Sequence, residues 1–344
     1  MKELRFVLLG TIIVMLAQFV STQIDFISFA NAATNTNLTV TDQLPSWNDG
    51  TTKQRIIEFV QNITDVGNTK YYIPPQDRIA VFDNDGTLWS EKPLYFQLYF
   101  ALDRVDDVVA NKPELKNMFP FKEILEKNLT ALKGMDEKDV MNLILTTHSN
   151  ISKPEFDSLV HKWSETAKHP ETQRKFVDMV YQPMIELISY LKAYQFKTFI
   201  VSGGGIDFMR ESLSQIYGIP PEQIIGSSVK YQFIDSDTGN STIFRKDQLN
   251  SFDDKTEKPV NIELHIGKVP VIAVGNSDGD LQMLKYVNDN NDNGKSLEIE
   301  VHHDDGKREY SYGTRAENVL KEAKNRNWII VSMANDFAEI YPSK

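Results

Sequence analysis

Cysteine is absent from this chain of 344 residues. Its absence excludes disulfide bonds, thiolate metal sites and a cysteine nucleophile. Positive charge is also scarce, because 37 Lys and Arg residues face 48 Asp and Glu residues and leave a formal net charge of -11. Such a chain lacks the basic field that nucleic acids require, so we expect no nucleic-acid partner. An enzyme that processes phosphate is not excluded, since local lysines and a metal ion can reverse the sign within one cleft.

The first 32 residues have the pattern of an export signal, or signal peptide. Lys2 and Arg5 supply positive charge, residues 6–20 form an apolar run, and Ala30 and Ala32 form a small-x-small cleavage pattern. The alternative is an uncleaved anchor, although the run is shorter than the ~20 residues that a bilayer span needs. In both cases we expect the rest of the chain to be exported from the cytoplasm. It would contact a membrane only through this segment, if the segment stays uncleaved.

The remaining chain divides into an arm, a core and an insertion. Residues 33–75 predict a polar arm followed by a helix at 54–63, where apolar residues recur at helical spacing. Residues 93–189 have helical periodicity, without a strand-like run, and predict an all-helical cap inserted into a core of residues 76–92 and 190–344. The predicted helices of this stretch are 94–105, 120–132, 136–146, 154–165 and 170–192.

Short apolar runs alternate with helical segments along the core. They predict five strands, at 78–82, 197–201, 269–274, 297–302 and 328–332. This alternation implies an α/β fold with a doubly wound parallel sheet, in which the carboxyl ends of the strands bring their loops together.

Three of these strand ends carry polar motifs, which are FDNDGTLW at 82–89, SGGG at 202–205 and GNSDGD at 275–280. With Lys258 ahead of the third motif, the set resembles the phosphatases of the haloacid dehalogenase (HAD) superfamily, and most closely their exported acid-phosphatase-like hydrolases. The resemblance extends to LPSW at 44–47, TH at 147–148 and HHDD at 302–305. It therefore covers nearly the whole chain after residue 32. It implies a Rossmann-like core whose cap closes over the site and selects the substrate.

Asp83 and Asp85 stand two positions apart at the end of the first strand. In an extended chain such side chains point the same way, so both carboxylates can reach one phosphorus atom. The resemblance assigns Asp83 as the nucleophile that becomes phosphorylated, and Asp85 as the general acid and then the general base. Taken alone, the motif is also compatible with an Asp-Gly turn after a buried strand.

Ser202 and Gly203 follow the second predicted strand. A hydroxyl and backbone N–H groups at this place can hold phosphate oxygens, although SGGG by itself is also a common flexible loop. Lys258, Lys255 and Lys268 are candidates for the cation that neutralises a transferring phosphoryl group. The resemblance favours Lys258, which stands in a Lys-Pro pair ahead of an I-x-x-x-I-G stretch.

The resemblance also implies a magnesium cofactor. Magnesium takes oxygen ligands in an octahedron, with few of them from protein and water as the rest. The expected ligands are the Asp83 carboxylate, the Asp85 backbone carbonyl and one side chain of the loop at 276–280. Many relatives carry Asp where this chain has Asn276. The third ligand is then either Asn276, with Asp280 behind it, or Asp280 itself.

Two histidine-containing segments allow more than one interpretation. His148 in the cap is either a substrate contact or a structural histidine. His302, His303, Asp304 and Asp305 have the composition of a metal cluster. However, neighbours on a strand point to opposite faces and cannot easily bind one ion. We therefore expect a strand end at the rim of the site and no second metal.

Together these features predict an exported, magnesium-dependent phosphatase whose substrate is a small-molecule phosphate monoester. A dehalogenase shares the Asp nucleophile but needs neither Asp85 nor the metal loop. A phosphomutase shares the motifs, but its sugar phosphates are mostly cytoplasmic. A catalytically impaired binding protein that keeps the fold stays open, because Asn276 removes a charge from the metal loop.

Overall fold

The computed structural model describes residues 43–128 and 134–343. The predicted export segment and the first part of the polar arm lie outside the described residues. From Leu44 onward the described residues belong to one structural unit. Within them, no helix has the length and apolar character needed to cross a bilayer.

One mixed sheet organises the described part of the chain. Its eight strands are β1 (Ile79–Phe82), β2 (Ile151–Ser152), β3 (Lys197–Gly205), β4 (Ile224–Ile234), β5 (Thr242–Ser251), β6 (Ile272–Gly275), β7 (Leu297–His302) and β8 (Ile329–Ser332). Their order across the sheet is β2-β5-β4-β3-β1-β6-β7-β8. From β4 to β8 the neighbours in this order are parallel, whereas β5 pairs antiparallel with β4 and with β2. The predicted α/β class is confirmed, and each of the five predicted strands has an observed counterpart.

Twelve α-helices accompany the sheet between residues 43 and 343, leaving aside the undescribed residues 129–133. They are α1 (Thr51–Thr64), α2 (Phe96–Asp103), α3 (Val105–Asn111), α4 (Phe121–Leu125), α5 (Glu137–His148), α6 (Lys153–Thr166), α7 (Gln182–Ala193), α8 (Ile206–Tyr217), α9 (Glu257–Ile266), α10 (Leu281–Asp289), α11 (Glu317–Arg326) and α12 (Met333–Asp336). Helices α2 to α6 lie within the predicted cap. The division into core and cap stays a prediction, and α7 runs across its proposed boundary at residue 189.

Both faces of the sheet are covered, which explains the continuous apolar runs of the central strands. In β1, Ala80 and Phe82 belong to a buried cluster that includes residues of α1 and α7. Ile79 and Val81, on the opposite face, belong to a second cluster that includes residues of α10 and α11. Every side chain of β1 is therefore buried. Asp83, which follows β1, lies near the middle of the carboxyl edge of the sheet.

Three details of the cap differ from the sequence prediction. The two-residue strand β2 interrupts the helices and pairs with β5 at the edge of the sheet; it is too short to produce a visible alternation. The helix predicted at 170–192 begins only at Gln182, because residues 170–181 form turns that dock against the motif after β1 through the Trp89–Val180 bridge. The helix predicted at 120–132 ends as α4 at Leu125, and part of its range lies outside the described residues.

Strands β4 and β5 were not predicted at all. Their paired outer halves are largely exposed, with Phe233 61% and Ile243 38% accessible. Strands that are exposed in this way lack the apolar-polar alternation on which strand recognition depends. The sheet consequently extends beyond its parallel core as an antiparallel ribbon.

Candidate active site

The polar loops of three neighbouring strands meet at the carboxyl edge of the sheet. Strands β3, β1 and β6 are adjacent, so Ser202 in β3, Asp83 after β1 and Asn276 after β6 come together. The Asp83 backbone N–H donates to the Val274 carbonyl over 2.9 Å. The two acidic loops therefore start side by side, at the place where doubly wound sheets carry their ligands.

Lys258 connects two of these loops through its ammonium group. It lies in the first turn of α9, and its Nζ is 2.6 Å from Asp83 Oδ1 and 2.6 Å from Asp280 Oδ1. The three side chains are almost fully enclosed, with 2%, 8% and 1% of their surface exposed, respectively. Lys268, which the sequence left as a competitor, has 47% of its side chain exposed on the surface. The structure thus brings Asp83, Lys258 and Asp280 into one buried ion cluster.

This cluster is short of positive charge, because one ammonium serves two carboxylates. Burial raises the pKa of Asp83 to about 8; Asp280 adds to the shift and Lys258 opposes it. Burial alone would lower the pKa of Lys258, but the two carboxylates outweigh it and raise that pKa. Glu300 on β7 adds another buried carboxyl, whose oxygens have no hydrogen-bond partner in the described structure. Burial, and then Asp280, raise the pKa of Glu300 well above its usual value.

The Asp85 carboxyl is held between a tryptophan and the glycine loop. Its Oδ1 accepts a hydrogen bond from Trp89 Nε1 over 2.8 Å, and a Cβ placed on Gly204 would lie 3.3 Å from its Oδ2. The side chain keeps some access to solvent, yet burial raises the pKa of Asp85 to about 6 against the opposing effect of the Trp89 indole. A carboxyl with this pKa can both give and take a proton near neutral pH.

Asn276 and Asp280 have different surroundings in the third loop. Asp280 Oδ2 accepts from the backbone N–H groups of Asn276 and Ser277, both over 3.0 Å, while its Oδ1 faces Lys258. Asn276 Oδ1 accepts from the Thr87 hydroxyl over 3.0 Å, and its buried Nδ2 has no partner among the described residues. Both oxygens of Asp280 are therefore engaged, whereas Asn276 Oδ1 accepts a single hydrogen bond within the described chain, from Thr87.

The glycine loop is a continuation of β3, which runs to Gly205 instead of ending at residue 201. Ser202 is 1% exposed, and its Oγ accepts from the Gly204 N–H over 3.3 Å. The Gly205 N–H donates to Gln97 Oε1 of α2 over 2.7 Å. This contact docks the first helix of the predicted cap directly on the loop that carries Ser202 and Gly203.

Comparison with known families assigns the chain to one of them. The sequence profile of the haloacid dehalogenase-like hydrolases matches residues 80–285. The match spans more than half of the chain and contains all the loops described above. The chain belongs to the haloacid dehalogenase-like hydrolases. A search of curated proteins gives no significant match.

Solved structures share the architecture of this hydrolase at low sequence identity. A conserved functionally unknown protein from Anaerococcus prevotii DSM 20548 superposes with a TM-score of 0.54 and 14% identity, over 87% of this chain and 98% of its own. It supports the fold. A phosphoserine phosphohydrolase-like protein from Francisella tularensis subsp. tularensis SCHU S4 matches with a TM-score of 0.40 and 18% identity, over 74% and 94% of the two chains. The TM-score of this second match is too low to establish more than a distant likeness.

His148 lies in the interior of the helical region of this hydrolase. It is 1% exposed, and its ring is 5.1 Å from the Phe100 ring and 5.4 Å from the Phe156 ring. Its Nδ1 is 2.8 Å from the Thr147 hydroxyl, and burial lowers its pKa well below the usual value. These contacts favour the structural alternative over a substrate contact.

Three of the four residues from His302 to Asp305 make separate contacts. His303 faces the loop after β1, and its Nε2 is 2.6 Å from the Gly86 carbonyl oxygen. Asp304 binds the Ser332 hydroxyl over 2.5 Å, and Asp305 pairs with Arg308. Within the described chain, no group of three or more His, Asp or Glu side chains is placed to share a metal ion. The magnesium site expected from the resemblance needs fewer such side chains than that.

Several residues of the site were not singled out from the sequence. Trp89 and Thr87 lie inside the FDNDGTLW motif, so the motif marked their positions. The sequence did not indicate that their side chains contact Asp85 and Asn276. Gln97 and Glu300 reach the site only through tertiary contacts, and no local pattern marks them. His303 belongs to the HHDD segment that was expected at the rim of the site, but its contact with Gly86 was not predicted.

Proposed function

We propose that this chain is a magnesium-dependent phosphomonoester hydrolase that forms an aspartyl-phosphate intermediate on Asp83. The observation that carries the proposal is the buried cluster of Asp83, Lys258 and Asp280 beside Asp85. In this cluster Asp83 would be the nucleophile and Lys258, whose Nζ is 2.6 Å from Asp83 Oδ1, would be the fixed positive charge, while Asp85 would be the proton donor. Membership of a hydrolase family supports the reaction class, and the substrate and intermediate belong to the proposal.

The reaction would proceed in two displacements on phosphorus. First, an oxygen of the Asp83 carboxylate bonds to phosphorus while the bond from phosphorus to the alcohol oxygen breaks, and Asp85 gives its proton to that oxygen. Then Asp85 takes a proton from a water molecule whose oxygen attacks the same phosphorus. The acyl phosphate bond breaks, inorganic phosphate leaves and the Asp83 carboxylate is restored. The pKa of Asp85, raised by burial to about 6, suits both proton transfers.

The charge that develops on the phosphoryl oxygens needs fixed partners. The Lys258 ammonium lies 2.6 Å from the attacking carboxyl group and is already directed by Asp280. The Ser202 hydroxyl and the backbone N–H of Gly203 would hold further oxygens at the end of β3. Such preorganised groups need no reorientation during the reaction, which is why they stabilise the transition state effectively.

The residues present fit a magnesium ion. One ammonium group, that of Lys258, faces the two buried carboxyl groups of Asp83 and Asp280, so the cluster has room for a further positive charge. Asn276 Oδ1 accepts one hydrogen bond, from the Thr87 hydroxyl over 3.0 Å, and because an amide oxygen has two lone pairs it can still bind a cation. The Asp83 carboxylate, the Asp85 backbone carbonyl and the Asn276 side-chain oxygen would hold the ion, since Asp280 is engaged by Lys258 and its own loop. When bound, magnesium supplies positive charge to the phosphoryl oxygens.

The substrate would be a small phosphate monoester that enters between the cap and the sheet edge. The hydrogen bond from Gly205 to Gln97 joins α2 to the loop of Ser202 and Gly203, and for this reason the first helix of the predicted cap would contact the leaving group. The net charge of -11 would repel the phosphates of a nucleic acid, so we expect no nucleic-acid partner.

We also propose export, on the charged, apolar and small-x-small pattern of residues 1–32. Mass spectrometry of the protein from its native cells would test this. An N-terminus at Ala33 outside the cytoplasm supports a cleaved signal, and an intact N-terminus in the membrane fraction supports the anchor. An intact chain in the cytosol contradicts export.

Phosphate release from a generic aryl phosphate, with and without magnesium, tests the catalytic proposal. Asp83→Asn should abolish the metal-dependent turnover, because an amide is a poor nucleophile. Asp77→Asn is a matched control, since Asp77 is exposed and pairs with Lys268 on the surface. If folded protein with bound magnesium releases no phosphate from any ester, the enzyme proposal is wrong and the binding-protein hypothesis replaces it.

A further inference from the structure

We propose that His303, paired with Glu309, is a positioning residue that holds the loop of Asp83 and Asp85 in its reactive shape. The inference rests on the proposed function, because it assigns a role in the same site. His303 lies just after β7 and is 2% exposed. Its Nε2 is 2.6 Å from the carbonyl oxygen of Gly86, the residue after Asp85.

Gly86 is the point at which the nucleophile loop turns. Its φ of +80° lies in the left-handed region, and a Cβ at this position would lie 2.1 Å from Asn276 Nδ2. Its N–H donates to the Trp89 carbonyl over 2.8 Å, a contact within the loop itself. The bond to His303 crosses more than two hundred residues of sequence. It therefore ties this turn to a separate strand.

Hydrogen bonds hold both ring nitrogens of His303. A carbonyl oxygen can only accept, so Nε2 must donate to Gly86. Nδ1 is 3.2 Å from Glu309 Oε2, which also accepts from the Tyr310 N–H over 2.6 Å. Glu309 Oε1 accepts from Ser90 and Tyr181 hydroxyls over 2.8 Å and 3.0 Å. With these donors converging on it, the Glu309 carboxyl is fixed in place and holds the second ring nitrogen of His303.

The ring of His303 is also held against rotation. It stacks on the Tyr312 ring with a centroid distance of 4.3 Å and an angle of 20° between the planes. The Tyr312 N–H donates to the His303 carbonyl over 3.0 Å. Stacking and two directed hydrogen bonds leave the imidazole one orientation, so the Gly86 carbonyl has a rigid partner. The carboxyl of Asp85 and its backbone carbonyl, one residue earlier, are then fixed relative to Asp83.

Two substitutions separate positioning from packing. His303→Leu removes the donor, whereas His303→Gln keeps an N–H that can reach a carbonyl. We expect His303→Leu to lower kcat for an aryl phosphate about 10- to 100-fold, because displacements near 1 Å have effects of this size. KM should stay within about threefold, and His303→Gln should recover much of the loss. His302→Gln is the control on the neighbouring residue and should keep wild-type kcat.

A purely structural role gives a different result. Both variants would then lose thermal stability to a similar degree, with kcat per folded molecule unchanged in each, and the positioning role would be overturned. A crystal structure of His303→Leu gives a readout that needs no activity. A turned Gly86 carbonyl and a shifted Asp85 in that structure support the inference, whether or not the wild type is active. If the wild type hydrolyses no phosphate ester, only the proposed function is wrong. An unmoved loop refutes the inference.

Discussion

Replacement of Lys258 by methionine should destabilise the protein strongly. Methionine keeps much of the volume of the side chain but removes the ammonium group, whose nitrogen lies 2.6 Å from one oxygen of Asp83 and of Asp280. All three side chains are at most 8% exposed. Removal of one partner from a buried ion pair costs about 3–5 kcal/mol, because the remaining charge is left uncompensated. We therefore expect the free energy of unfolding at pH 7 to fall by that amount.

The loss should depend on pH in a defined direction. Lys258 opposes the rise in the pKa of Asp83, so without the ammonium this pKa, already about 8 in the folded protein, should rise further above its value in the unfolded chain. A raised carboxyl pKa makes the folded state less stable at pH values above the unfolded pKa, near 4, and the penalty disappears below it. The part of the Lys258→Met deficit that comes from Asp83 should therefore grow as the pH rises above about 8, where this carboxyl ionises in the wild type, and should be absent at pH 4. Turnover should fall about 100- to 1,000-fold, as when one preorganised partner of the transition state is lost.

Guanidinium unfolding followed by tryptophan fluorescence at pH 7 and pH 9 measures the effect. Lys268→Met is the matched control, because its ion pair with Asp77 is about half exposed and screened by solvent. It should change stability by less than about 1 kcal/mol. If Lys258→Met is as stable as the control at pH 7, the carboxylates do not depend on this ammonium and the interpretation of the ion cluster is wrong.

Two further substitutions test the proton donor and the metal loop. Trp89→Phe removes the indole donor 2.8 Å from Asp85 Oδ1, so the pKa of Asp85 should rise above about 6. Because the first step needs the protonated acid, the alkaline limb of the kcat–pH profile should move to higher pH. An unmoved limb would count against Asp85 as the proton donor. Asn276→Asp adds a charged oxygen ligand and should lower the magnesium concentration for half-maximal activity about tenfold or more. Titration of magnesium into chelator-treated enzyme measures this concentration. An unchanged or higher concentration would exclude Asn276 as a ligand.

The centre of the fold could be predicted because it depends on local patterns. Four-residue strands buried on both faces, such as β1 and β6, read as short apolar runs, and their ends are marked by Asp-Gly sequences. Parallel strands in turn require that these ends share one edge of the sheet. The meeting of Asp83, Ser202 and Asn276 follows from these rules. The resemblance assigned Lys258 to the site, but the distance of 2.6 Å between its Nζ and Asp83 Oδ1 comes only from the structure.

The parts that could not be predicted depend on contacts between distant segments. The ribbon of β4 and β5 is exposed on much of its length, so its residues do not alternate between apolar and polar. The bond from His303 to Gly86 joins positions that no sequence spacing relates. The placement of His148 inside an aromatic cluster likewise depends on how α5 packs against α2 and α6, which helical periodicity leaves undetermined.

The central claim is that Asp83 becomes phosphorylated during turnover. The most direct measurement is mass spectrometry of the protein quenched with acid during hydrolysis of an aryl phosphate, with Asp85→Asn used to slow breakdown of the intermediate. The account predicts one phosphoryl group, located on the peptide that contains Asp83 and absent from Asp83→Asn. Turnover by the wild type without any phosphorylated peptide, or with the group on another residue, would contradict it.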